Sequence, residues 1–151
     1  MRRWSRWVTD EEGSAALEFI TVGLILLVPL VYLIAALGVI QEQTLGIEAA
    51  ARHTARVISL APDAESAAAR GEQVLAGIVE EYGLDPDAVD VALTCVPAGA
   101  ECPAAGATIT VTVATRVTLP LMPSLFGLDR STAIPVEAAA VQKISRLWGG
   151  G

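Results

Sequence analysis

Apolar residues crowd one stretch of this chain and alternate with polar ones in others. From residue 19 to residue 40 no charged side chain occurs, and fifteen of those 22 residues are Phe, Ile, Leu or Val. As a helix the stretch is about 33 Å long at ~1.5 Å per residue. That matches a bilayer hydrocarbon core of ~30 Å. The fifteen large apolar side chains favour insertion by roughly 4 to 9 kcal/mol. Glu18 stands at the mouth of the run, where a charge costs less than at its centre. Insertion therefore wins. Pro29 is expected to kink the helix without ending it. A cleavable secretory signal is the rival reading, but its apolar region spans only ~7 to 15 residues before an A-x-A-like site. Here Ala49-Ala50-Ala51 comes too late, inside a helical pattern.

Beyond the span the period stays helical. Residues 41–60 continue the helix, with Glu48 and Arg52 spaced for an i,i+4 pair. Ala61-Pro62-Asp63 punctuates the pattern. A second helix is predicted over 64–82, with Val74, Leu75, Ile78, Val79 and Tyr82 on one face. Gly83 suits its C-terminal cap, Asp85-Pro86 marks a turn, and Gly71 and Gly77 weaken the helix.

The period then changes to two. Val89, Val91, Leu93 and Cys95 alternate with Asp90, Ala92 and Thr94. Ile109, Val111, Val113, Val117 and Leu119 alternate with Thr108, Thr110, Thr112, Arg116 and Thr118, and Pro120 and Pro123 end that strand. A third strand is expected over 131–141, with Ile134, Val136, Ala138 and Ala140 inward and Pro135 at a sheet edge. A helix beginning at Pro135 is the competing reading of this segment. The strand is preferred because a sheet of two strands is marginal. The fold class is α+β: one N-terminal transmembrane helix continuing into a head with a second helix and a small three-stranded antiparallel sheet.

Charge orients the span. Arg2, Arg3 and Arg6 precede it, and the first basic residue after it is Arg52. By the positive-inside rule the N-terminus is cytoplasmic and the C-terminal domain lies outside. The 151 residues carry a formal charge of −7. They hold one anchor and one domain of about 90 to 110 residues. The outer domain has no basic stripe along the sequence, which argues against nucleic acid as a partner.

The junction before the span carries candidate chemistry. Gly13 lies five residues before Glu18-Phe19, and cleavage between Gly13 and Ser14 would leave Ser14 with a free ammonium. Glu18 would then sit four residues on, on the same helix face. In a low-dielectric layer an ammonium of one subunit attracts a neighbour's carboxylate far more strongly than in water. The alternative is a membrane-edge glutamate reaching to headgroups.

Gly13 followed by Glu18-Phe19 at the start of a span resembles a class III prepilin junction. The wider chain is similar to the TadE-like family, the small pilin-like proteins of tight-adherence (Flp) pilus systems. The segment Glu48-Ala49-Ala50-Ala51-Arg52-His53-Thr54-Ala55-Arg56 resembles the Ala- and Arg-rich stretch after the span in that family. The resemblance covers residues 13 to about 60 and departs at Glu11-Glu12, where a basic residue is expected before the glycine. It implies a cytoplasmic leader over 1–13, a helix over 14–60 and a pilin-like extracytoplasmic head over 61–151. It further implies removal of the leader by a prepilin peptidase and assembly through Glu18 and Phe19. The implied function is that of a minor pilin or pilus-assembly pseudopilin in a bacterial cytoplasmic membrane. Its partners would be membrane lipid, other pilin-like subunits, the peptidase and the pilus assembly platform. A permanently anchored single-pass adhesin or binding module is the alternative.

Cys95 and Cys102 close a short loop in a domain expected outside the cytoplasm, and they read as a structural disulfide. The spacing is not C-x-x-C, and the only histidine, His53, lies on a distant helix, so neither redox chemistry nor zinc is indicated. Asp85, Asp87 and Asp90 fail the EF-hand spacing. Arg52 and Arg56 share a helix face that would meet lipid headgroups, a partner or plain solvent. The apolar link 119–126 either packs on the sheet or forms a binding surface. No nucleophile elbow, phosphate loop or metal cluster is present in the sequence, so no enzymatic activity and no cofactor are expected.

Overall fold

A computed structural model of the chain describes residues 10–98, 101–120 and 133–148, with only the backbone at 10–13. The chain divides into two compact units, Met1–Leu37 and Gly38–Gly151. The flanking Arg2, Arg3 and Arg6, most of the apolar link 119–126, and the start of the predicted third strand lie outside the described residues.

Helix α1 runs without a break over Asp10–Leu60, 51 residues, and passes through Pro29. In the first unit its large apolar side chains stay exposed on every side, from Leu17 and Phe19 to Leu33 and Ile34. Its segment Ser14–Leu60 contains the one stretch among the described residues long and apolar enough to cross a membrane. A helix that is apolar all round suits a nonpolar surrounding such as a bilayer or a packed core.

In the second unit α1 becomes one-sided. Ile47, Ala50, Ala51, Thr54, Ala55 and Ile58 recur at helical spacing and are all buried. Half are alanines, so other elements can approach the helix axis closely. Helix α2, Ala64–Glu81, folds back against this face. A Cβ built on Gly71 would touch Ile58 at 3.4 Å and Thr54 at 3.6 Å, and one built on Gly46 would touch Tyr82. These contacts make α1 and α2 an antiparallel helical hairpin joined by Ala61-Pro62-Asp63. Gly71 thus lies in ordinary contact with α1, while at Gly46 the cap residue Tyr82 comes closer than a side chain would allow.

Both ends of α2 are capped by local chemistry. Asp63 is the N-cap; its Oδ1 accepts from the Ser66 N–H at 2.7 Å and its Oδ2 from the Ser66 hydroxyl at 3.2 Å. At the other end Gly83 takes φ +58, the Leu84 N–H donates to the Val79 carbonyl at 2.9 Å, and the Gly83 N–H to the Glu80 carbonyl at 3.3 Å. That is a Schellman termination, and Leu84 is buried behind it. The helix ends one residue earlier than predicted, with Tyr82 as its cap.

The sheet has three antiparallel strands in the order β1-β2-β3: β1 Asp90–Val96, β2 Thr108–Val117 and β3 Ile134–Lys143. Central β2 buries Ile109, Val111, Val113 and Val117 completely, as the alternation predicts. Thr115 occupies the same face and is buried too. The last segment is a strand, not a helix, and Pro135 lies opposite Arg116 on an edge strand. It runs two residues further than expected, to Lys143.

β1 departs from its predicted pattern. Val91 and Leu93 pair with Val113 and Val111 on the core-facing side, yet they remain 44% and 37% exposed. The core touches this edge strand only near its ends, at Val89 and Cys95. Period-two alternation thus chose the correct face, but the helices do not reach across to cover its middle. Leu119, predicted as the last inward residue of β2, lies beyond the strand and is half-buried.

Candidate functional site

The four junction residues all lie on α1. The Gly13–Ser14 bond lies within α1, which is helical over all the described residues on either side of it. Ser14, Glu18 and Phe19 are exposed, Phe19 to 81%. Ser14 and Glu18 are one turn apart on one face. Glu18 makes no ion pair among the described residues. Three residues further on, the Thr21 hydroxyl donates to the Leu17 carbonyl at 2.7 Å, which hides its polar atom within the apolar helix.

Cys95 and Cys102 are bonded as the sequence suggests, with Cα atoms 5.8 Å apart. Cys95 is the penultimate residue of β1, half-buried against the core, while Cys102 is exposed in the loop. The bond anchors the β1–β2 connection at one end. The other end is held by backbone bonds to the chain after β3: the Gly106 N–H to the Ser145 carbonyl at 3.1 Å, and the Ile144 N–H to the Ala107 carbonyl at 2.8 Å. Gly106, at φ +75, makes the turn between them.

The aspartates after α2 have a structural task. The Asp85 carboxylate accepts from the Asp87 N–H at 3.1 Å and opens a single 3₁₀ turn over Pro86–Ala88. Among the described residues no group of three His, Cys, Asp or Glu side chains could hold a metal ion.

One grouping was missed in the sequence. Arg56, Ser59 and Leu60 on α1 face residues 142–146 across an open cleft of about 670 Å³, into which Lys143 and Arg146 also open. A second cleft of about 430 Å³ adjoins it, lined by Ala49, Arg52, His53, Arg56 and Gln142. Arg56 and Gln142 belong to both. Arg52 is neutralised by Glu48, its Nη2 lying 2.6 Å from Oε2. Arg56, Lys143 and Arg146 have no ion-pair partner among the described residues. Nearly ninety positions separate Arg56 from Lys143 in the sequence, so no local pattern could reveal this group.

Among the described residues Asp63 is the one acid whose titration is clearly displaced. The Ser66 backbone N–H and then the Ser66 hydroxyl hold its carboxyl below the usual carboxylate range.

Compared with known protein families, with curated proteins and with solved structures, the chain has no match.

Proposed function

We propose that this chain is a pilin-like, single-pass membrane protein, a minor pilin or pilus-assembly pseudopilin of the TadE-like kind. Its α1 enters an assembly once a prepilin peptidase has removed residues 1–13. The observation that carries the reading is the double character of α1. One continuous helix is apolar and exposed over its first half and forms a wall of the head's core over its second. Such a helix offers its exposed half to lipid first and to neighbouring helices afterwards. The small head with a helix and a three-stranded sheet, and the exposed Glu18 one turn after Ser14, fit the same role.

N-terminal sequencing of membrane-purified protein from a pilus-competent host tests the proposal. The mature chain should begin at Ser14. An intact Met1 terminus, with the peptidase demonstrably active on another substrate, would refute it. Gly13→Leu should leave the chain inserted but uncleaved, because insertion rests on residues 19–40.

A second reading has one observation in its favour. The bond to be cut lies within helical backbone of α1, behind Glu11 and Glu12. A chain never processed there would be a permanently anchored binding or adhesin module.

A further inference from the structure

The charged residues of the second unit are sorted along α1. Tyr82 packs on Gly46, so the end of α2 lies toward Gly38, where α1 enters the unit. Glu80 and Glu81 are exposed there, and Asp85 and Asp87 follow directly. Asp87 and Asp90 then share a cleft with Glu137 and a single cation, Arg116. The opposite end is where α1 stops at Leu60. There Arg56, Lys143 and Arg146 line their own cleft with no carboxylate among its lining residues. Asp63 and Glu65 open α2 at this end but do not line that cleft, and Glu101 lines an adjoining one with Arg146. One end thus offers carboxylates in excess and the other a cationic recess.

We propose that the basic cleft receives the acidic end of a second copy of this chain. The carboxylates of Asp85, Asp87 and Asp90 on one copy would meet Arg56, Lys143 and Arg146 on the next. Charge complementarity within a single chain is the argument for this occupant. The two patches differ and sit at opposite ends of the unit, so the contact is head-to-tail. Such a contact is heterologous, so it leaves a free acidic end and a free basic cleft for further copies unless a ring closes. Lipid is a poorer occupant. Arg56 lies sixteen residues beyond Ile40, about 24 Å along the helix, whereas the headgroup layer adds only about 5 to 8 Å to each side of the hydrocarbon. The contact goes beyond the pilin reading. It offsets neighbouring copies by about 15 Å along α1, the rise from Gly46 to Arg56, so it forms between copies not held at one depth in a common bilayer.

The test uses the full chain in detergent micelles. Two differently tagged copies are co-produced, one carrying Lys143→Cys and the other Asp87→Cys. The native cysteines are bonded to each other and do not compete. A crosslink should join the two tags, and it should weaken in 1 M salt, where the screening length falls to about 3 Å. Pairing Lys143→Cys with Thr94→Cys, an exposed β1 position, should give none. In a second arm Arg56, Lys143 and Arg146 are all changed to Glu. Association should fall on the order of tenfold or more, since three attractive pairs become repulsive ones. A partner copy with Asp85, Asp87 and Asp90 changed to Lys should restore it. No crosslink above the Thr94 control, or no restoration by the swapped copy, overturns the inference. Cleavage at Ser14 without charge coupling would sink this contact and leave the pilin reading standing. Charge coupling in an uncleaved chain would do the reverse.

Discussion

Tyr82 lies directly on Gly46: a Cβ added to Gly46 would stand 2.8 Å from both Cβ and Cγ of the tyrosine. Those atoms are fixed to the end of α2, so they cannot swing away as the tip of a long side chain would. The α1–α2 hairpin therefore depends on a missing side chain. Gly46→Ala gains up to ~1 kcal/mol of helix propensity but forces the helices apart, at about 1 to 3 kcal/mol. We predict a net loss. Gly77→Ala is the matched control, because nothing lies within 4 Å of its added Cβ. It should stabilise by up to ~1 kcal/mol. Chemical denaturation of the two variants in the same detergent checks both signs. Equal effects would refute the close approach.

Asp63 makes the start of α2 sensitive to acid. Its folded carboxyl titrates below its ordinary value because Ser66 donates to it twice. A lowered folded value means that the cap's contribution is complete above the unfolded value of about 4 and is lost as pH falls through the folded one. Asp63→Asn keeps a capping oxygen and should flatten this part of the acid limb, while Asp63→Ala should weaken α2 at every pH. Melting curves between pH 2 and 7 separate the three proteins. Identical acid limbs would show that the cap carries no pH dependence.

The Cys95–Cys102 bond closes a loop seven residues apart in sequence. In the chain-entropy account a loop this short is worth about 2.5 kcal/mol. Replacing both cysteines by serine should lower stability by roughly that amount and leave the α+β fold intact, because the core does not need Cys102. Thiol labelling of denatured, unreduced wild-type protein should find neither cysteine free.

Much of the fold is legible in the sequence because it is local. The 3.6 and 2.0 periodicities, the Asp63 cap, the Gly83 termination and the edge position of Pro135 depend on neighbours within a few residues. What the sequence hides is set by distance along the chain. Gly46 and Gly71 read as weaknesses or not at all, and only the crossing of two helices shows that they are contact points. Val91 and Leu93 alternate like core residues, but alternation cannot tell how far a helix reaches across a sheet. Arg56, Lys143 and Arg146 meet because β3 ends beside α1. The disulfide was legible because both cysteines flank one loop.

Glu18 is the sharpest test of the proposed assembly. If its carboxylate pairs with the Ser14 ammonium of a neighbour, Glu18→Gln should insert and be cleaved normally yet fail to co-purify with other pilin-like subunits. The expected loss is about 2 to 5 kcal/mol, since an ammonium would be left unpaired in a low-dielectric layer. Wild-type recovery at matched expression would mean that Glu18 only reaches toward headgroups. Assembly would then rest on packing along Gly23, Ala35, Ala36 and Gly38.

The unbroken α1 also decides where this protein can be shed. Ile47, Ala50, Ala51, Ala55 and Ile58 are core residues, although they belong to the same helix as the apolar segment. A protease acting after Leu60 would release a fragment missing one wall of its interior, and that fragment would not hold together. Only a cut between about Ile40 and Gly46 frees a head that keeps its structure. Those residues are helical, which a protease must first unwind. The head is thus tied to the apolar stretch by the same helix that completes its core.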